Sequence, residues 1–176
     1  MSLEEKRADL IIKYRKFVID KKELQDDRVI FRLTSGKQKI IMHIILGQKT
    51  IGISYVRELQ EMVETEEADR GILVGDGKYT YSARSSADDK SGIELIPPTL
   101  PTFDIFEHEL VPMHEKVTPS ELKELTEKYH AEPYQFPWIK FNDPISIILG
   151  AKPGDVLKII QNSETAGKSI SYRYVV

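Results

Sequence analysis

Between Val29 and Val74 the chain alternates short apolar runs with one amphipathic stretch, and that order restricts the fold more than any other feature. Val29-Ile30-Phe31-Arg32-Leu33 predicts a strand, Thr34-Ser35-Gly36-Lys37 a turn, and Lys39 to Leu46 a second strand. Gly47-Gln48-Lys49 breaks the run, and Ile51 to Ser54 allows a short third strand. From Tyr55 to Thr65 the apolar positions Val56, Leu59, Met62 and Val63 recur at helical intervals, with Glu58, Glu61 and Glu64 outside. Gly71-Ile72-Leu73-Val74 then reads as a strand ended by Gly75-Asp76-Gly77. Strand, helix, strand in this order predicts a crossover unit, and hence a mixed sheet with helical cover.

The flanks are punctuated by local chemistry. Ser2 and Glu5 have capping-box spacing, and Leu3, Leu10, Ile11, Tyr14 and Phe17 or Val18 follow as an apolar stripe. Lys6, Arg7, Lys13, Arg15 and Lys16 fill much of the remaining circumference and are expected in water. Residues 82–103 are weakly patterned. The polar run Ser85 to Gly92 and the prolines Pro97, Pro98 and Pro101 exclude a helix interior and predict a domain boundary. We therefore expect an α/β unit over 1–103 and a small α+β unit over 104–176.

In the second unit Thr118-Pro119-Ser120-Glu121 supplies an N-cap, a proline at the first helical position and a capping carboxylate. Leu122, Leu125 and Tyr129 mark its expected buried stripe. Asp143-Pro144 opens another helix, and Gly150 stands where a left-handed C-terminal residue is wanted. Val156–Ile160 and Ile170–Val175 predict two strands joined by a long loop, Asn162 to Gly167. Trp138, between Pro137 and Ile139, is expected in the core, with a surface anchor at an interface as the alternative.

Composition narrows the function classes. There is no cysteine among the 176 residues, so disulfides, thiolate zinc sites and thiol nucleophiles are excluded; a reducing compartment fits. Met1 to Asp20 lacks an apolar core of signal-peptide type, and the longest apolar run, Ile40 to Leu46, is too short to span a bilayer. A formal charge of −3 argues against a protein that holds nucleic acid unaided. The charge is uneven: residues 1–49 carry 12 Lys+Arg against 7 Asp+Glu, and residues 50–107 carry 5 against 12.

No catalytic set stands out. His108-Glu109 and His114-Glu115 could ligate a metal only if they converged, and Pro112 between them prevents one helix from presenting both. Donation to backbone carbonyls is the expected role of these histidines. Gly75-Asp76-Gly77-Lys78 lacks the spacing of a phosphate loop and predicts a tight turn. Ser163-Glu164-Thr165 has no histidine near it in sequence to serve as a base.

The ordered strings His108-Glu109-Leu110-Val111-Pro112-x-His114, Asp143-Pro144, Leu149-Gly150, Gly154, Val156-x-Lys158-Ile159-Ile160, Ser163-Glu164-Thr165-Ala166-Gly167 and Tyr172-Arg173-x-Val175 resemble the assembly domain of one RNA polymerase subunit. It is the small subunit shared by the three eukaryotic nuclear polymerases, whose archaeal counterpart is a shorter polymerase subunit without the N-terminal domain. Ile51-Gly52-Ile53, Arg70-Gly71-Ile72-Leu73-Val74 and Thr80-Tyr81-Ser82-Ala83 resemble, more weakly, the nuclease-like jaw domain of the eukaryotic protein. Gln161, Lys168 and Trp138 depart from the family pattern, where basic residues (arginine at the first two) are usual, and suggest a divergent, viral or parasite member.

The resemblance implies a non-catalytic subunit without cofactor that docks on the largest polymerase subunit and forms part of the lower jaw near downstream duplex DNA. It implies an assembly interface of His108, Glu109, Pro112, His114, Asp143, Pro144, Gly150, Lys158, Ser163, Glu164, Thr165, Ala166, Gly167, Tyr172 and Arg173. Lys13, Arg15 and Lys16 become candidates for DNA-backbone contacts, and transcription factors join the other polymerase subunits as partners. The nucleus, or a viral factory or virion, is the implied place of work. Two other readings are a nuclease-like enzyme and a free adaptor for transcription factors. Phosphodiester chemistry needs carboxylates gathered at a metal on adjacent strands. Val29–Leu33 and Lys39–Leu46 carry none.

Overall fold

The computed structural model describes residues 2–87, 91–163 and 167–176. It divides into two compact units, Met1–Phe103 and Asp104–Val176.

The N-terminal unit begins with α1 (Leu3–Tyr14), followed by β1 (Val18–Gln25), β2 (Arg28–Ser35), β3 (Gln38–Ile45), β4 (Thr50–Ile51), α2 (Ile53–Thr65), β5 (Arg70–Gly75), β6 (Lys78–Tyr79), α3 (Tyr81–Ser86) and β7 (Ile93–Ile96). Five strands form one mixed sheet in the order β1-β2-β3-β5-β7. β1, β2 and β3 are antiparallel neighbours, whereas β3, β5 and β7 run parallel. β4 and β6 make a separate two-stranded parallel pair.

The long apolar run of β3 is explained by burial on both faces, as in central parallel strands. Ile41 and Ile45 pack with Val56 and Leu59 of α2, together with Ile30, Leu73 and Ile93. The alternate residues Ile40, Met42 and Ile44 are equally buried and point to the opposite face.

Ser2 caps α1 as its spacing predicts: its Oγ accepts from the Glu5 amide at 3.2 Å, and the Glu5 carboxylate accepts from the Ser2 amide at 2.9 Å. The helix ends without glycine. Lys16 takes φ 56°, and the Phe17 amide returns to the Ile12 carbonyl at 3.0 Å, so the apolar stripe stops before Phe17. Leu3 is exposed, whereas Ala8, Leu10, Ile11 and Ile12 are buried.

Three local expectations are corrected. Ile53 and Ser54 begin α2 rather than end a strand, because the chain turns into the helix at Gly52. Residues 82–103 contain both α3, capped by Thr80, and the edge strand β7. Arg7 is buried rather than solvated: its Nε donates to the Leu100 carbonyl at 2.8 Å, Nη2 to the Pro98 carbonyl at 2.7 Å and Nη1 to Asp76 Oδ1 at 2.8 Å.

The C-terminal unit contains β8 (Met113–Lys116), α4 (Pro119–Tyr129), β9 (Trp138–Ile139), α5 (Pro144–Leu149), β10 (Val156–Ser163) and β11 (Gly167–Val175). Its sheet has the order β8-β10-β11-β9, antiparallel except for β9 against β11. Leu157 and Val175 pack with Ala151, Ile139, Ile145 and Leu149 to form the core on one face. Thr118 and Glu121 complete the expected capping box of α4. Of its predicted stripe only Leu125 is fully buried. Of the long loop expected between the last two strands, Asn162, Ser163 and Gly167 are strand instead, while residues 164–166 lie outside the described residues. The ladder continues through Asn162↔Lys168 and Ser163↔Gly167.

Candidate assembly and nucleic-acid interfaces

The motif residues of the C-terminal unit spread over both faces of its sheet. Lys158 lies opposite Tyr172, and His114 lies opposite Ile159, while Leu157, two residues from Ile159, lies opposite Arg173. Two-residue alternation therefore puts Lys158 and Tyr172 on one face and His114 and Arg173 on the other. Groups so distributed do not converge on one atom.

His114 is nearly buried, and its Nδ1–H donates to the Pro112 carbonyl at 2.7 Å, the role expected from sequence. Phe106 meets the ring edge-on at 6.2 Å. Burial lowers the His114 pKa, and Arg173 adds to that; the Pro112 bond and Asp143 oppose it. His108 behaves differently. It follows a 3₁₀ turn, Ile105–Glu107, and its Nδ1 accepts from the Leu110 amide at 3.2 Å. Glu109 is exposed beside it. Among the described residues no group of three His, Asp or Glu side chains could hold a metal ion.

Asp143, Pro144 and Gly150 build α5. Asp143 Oδ1 accepts from the Ile145 amide at 2.9 Å, Pro144 is the first helical residue, and Gly150 closes the helix at φ 66°. Ser163 ends β10 opposite Gly167. Glu164, Thr165 and Ala166 lie outside the described residues.

An aromatic cluster escaped the sequence reading. Tyr129, Phe136 and Tyr172 meet at centroid distances of 6.3, 6.1 and 5.9 Å. Beside them Val117, Glu121, Glu124, Leu125, Lys128, Lys158 and Tyr172 line a groove of about 230 Å³. The three rings come from α4, the segment before β9, and β11, so no sequence window contains them together. Trp138 corrects the expectation of a core residue. It is 68% exposed, with its indole N–H donating to the Tyr134 carbonyl at 3.2 Å.

In the N-terminal unit the proposed phosphate-contacting side chains separate. Lys13 and Lys16 are exposed near the end of α1. Arg15 is not available in the same way. Its guanidinium grips the Glu94 carboxylate at 2.7 and 2.6 Å, with its side chain 5% exposed. A second set of exposed cations lies near the other end of the sheet. Lys49 and Lys78 flank the β4–β6 pair, Arg57 lies in the first turns of α2, and Arg84 lies in α3.

One buried titratable group of this unit has no evident role. His43 is fully buried in β3, and neither ring nitrogen has a hydrogen-bond partner. Burial lowers its pKa from 6.5 to about 4; Arg28 adds to the lowering, while Glu58 and Asp27 oppose it. The folded state thus prefers the neutral ring. Stability should be intact above pH 6.5 and fall between pH 6.5 and 4, by up to about 3 kcal/mol. His43→Leu should remove this acid limb and leave stability at pH 7 unchanged or raised, because two orphaned polar atoms disappear. Urea titrations at pH 5 and 7 would check this; an unchanged pH dependence in the variant would refute it.

Comparisons with known proteins agree with this two-part geometry. Residues 103–175 match the family described as RNA polymerase Rpb5, C-terminal domain, and residues 8–99 match the family described as restriction endonuclease. The molecule therefore joins a nuclease-type α/β unit to a polymerase assembly domain. The DNA-directed RNA polymerase subunit Rpo5 of Staphylothermus marinus is 51% identical over 73 residues, covering 42% of this chain and 80% of the relative. Subunit RPABC1 of RNA polymerases I, II and III from Caenorhabditis briggsae is 32% identical over 161 residues, covering 89% of this chain and 76% of the relative. Its Caenorhabditis elegans counterpart is 36% identical over 129 residues, covering 72% and 61%. The chain belongs to the Rpb5 family of RNA polymerase subunits.

Proposed function

We propose that the chain is a structural, non-catalytic subunit of a DNA-directed RNA polymerase. Its C-terminal unit docks on the largest subunit through the motif residues of β8, α5, β10 and β11. Its N-terminal unit forms part of the lower jaw near downstream duplex DNA. The observation that carries this reading is the match of residues 103–175 to the Rpb5 C-terminal domain. Relatives named as subunits shared by polymerases I, II and III support the nucleus as the place of work.

A nuclease reading finds less support, even though residues 8–99 match a restriction endonuclease family. β2 and β3, the paired strands at the centre of that unit, contribute Arg28, Arg32, Lys39 and His43 but no Asp or Glu. Metal-assisted phosphodiester cleavage requires carboxylates at such a place. What the unit offers instead is weak, sequence-independent contact with phosphates, which suffices once a large enzyme raises the local concentration.

Affinity purification of the tagged chain followed by mass spectrometry tests the main claim. Recovery of the two largest polymerase subunits is expected, and their absence under gentle conditions would overturn it. The assembled enzyme also locates the DNA contact. Charge reversal of Lys13 and Lys16, or of Lys49 and Lys78, should weaken DNA retention. Each lost phosphate contact should flatten the logarithmic salt dependence by roughly 0.9. If neither pair of changes alters retention, the jaw unit does not touch DNA through these side chains.

A further inference from the structure

We infer that the outer edge of β11, at Lys168 and Ile170, is a strand-addition site that takes an extended segment of the docking partner. The inference rests on the docking reading above and specifies its mode. β8 pairs with β10 only over Leu157–Ile160, and β9 pairs with β11 only at Tyr174 and Val175. Beyond those points, among the described residues, β10 and β11 pair only with each other. A two-stranded ribbon is marginally stable in water by itself and gains from a third strand.

The direction of the free backbone groups is fixed by bonds farther along the strand. The Tyr174 amide donates outward to the Pro137 carbonyl, and the Val176 amide donates outward to Ile139, both at 2.9 Å. The intervening Val175 amide donates to Asp155, on the inner side. Alternation then turns the N–H and C=O groups of Ile170 and Lys168 outward, and those of Ser169 and Ser171 toward β10. No strand pairs with the outer side at these positions among the described residues.

Side chains along this edge define the partner. Lys168, Ile170 and Tyr172 share one face of β11 by alternation, and Ile170 is 50% exposed. Ile170 lies across from Ile160, which in turn lies across from Met113, itself 60% exposed. An incoming strand therefore meets a cation followed by an aliphatic row. The complementary segment carries a carboxylate opposite Lys168 and an aliphatic side chain opposite Ile170, two residues away. Its intervening position is polar, because Ser169 and Ser171 occupy the other face. We assign this segment to the largest polymerase subunit.

Hydrogen exchange on the full chain, free and assembled with that subunit, tests the assignment. The amides of Lys168 and Ile170 should gain at least ten-fold protection on assembly. Those of Ser169 and Ser171, already inside the ladder, should change far less. Ile170→Pro removes an outward donor without breaking the inner ladder, and should weaken assembly about ten-fold more than Ile170→Ala. Free-chain exchange at Ser169 and Ser171 confirms that each variant keeps its hairpin. Assembly without new protection at Ile170, or equal effects of proline and alanine, would overturn strand addition while leaving docking intact. Failure to assemble at all would instead overturn the docking reading.

Discussion

Alanine at position 77 should destabilise the N-terminal unit by about 3 kcal/mol, because this turn glycine is buried against backbone. A Cβ on Gly77 would stand 2.3 Å from the Gln48 carbonyl oxygen and 2.8 Å from the Lys49 carbonyl carbon. Both are backbone atoms, so no side-chain rotation relieves the clash. Moving them apart would break the bond from the Lys78 amide to the Lys49 carbonyl, 3.1 Å long, and with it the pairing of β4 with β6. Gly36 provides the control. It has φ 62° but nothing within 4 Å of its added Cβ, so Gly36→Ala should cost only about 1 kcal/mol. Thermal unfolding of the full chain should show the first transition falling by roughly 12–20 °C for Gly77→Ala. A fall no greater than that of Gly36→Ala would contradict the steric argument.

Arg7→Met should be comparably damaging, at about 3 kcal/mol, despite preserving an unbranched side chain of similar length. The guanidinium serves two backbone carbonyls and one carboxylate through three different nitrogens. Removing it leaves the buried Leu100 oxygen and the half-buried Pro98 oxygen without their donor. Arg7→Lys should rescue little, because one ammonium cannot reproduce the planar fork. Asp76→Asn should cost less than about 1 kcal/mol, since that side chain is 44% exposed. Urea unfolding of the three variants separates the contributions. Parity between Arg7→Met and Asp76→Asn would show that the ion pair, and not the carbonyl contacts, is what matters.

The parts of the fold visible in the sequence were those with a local physical signature. Ser2, Thr118 and Asp143 announce their helices because a capping oxygen must sit next to the amides it satisfies. β2, β3 and β5 announce themselves because burial demands apolar runs. β1 did not, although it is eight residues long. Its sequence, Val18-Ile19-Asp20-Lys21-Lys22-Glu23-Leu24-Gln25, alternates nothing, because no face of this edge strand is buried. β7 is four residues long and follows a polar stretch, so its parallel bond to β5 depends on partners about twenty residues away. Arg7 looked like one surface cation among several; only the return of Pro98 and Leu100 to α1 makes it interior.

The candidate site divides along the same line. His108 to His114 and Asp143 to Gly150 are contiguous strings whose backbone roles can be read directly. The groove by Tyr172 is assembled from three separated segments, and its rings carry no mark of their common destination. Arg15 shows the opposite hazard. Its neighbours Lys13 and Lys16 share its charge, but it is Arg15 that has Glu94 brought beneath it by the sheet.

The hold of Arg7 on Pro98 and Leu100 also has a mechanical meaning. These residues immediately precede the junction at Phe103, where the first unit ends. Tension arriving from that side would reach the Arg7 contacts before it reached the sheet. The guanidinium acts as a strain relief, anchoring the outgoing chain to the first helix so that a pull is resisted by α1 and not by the edge strand β7.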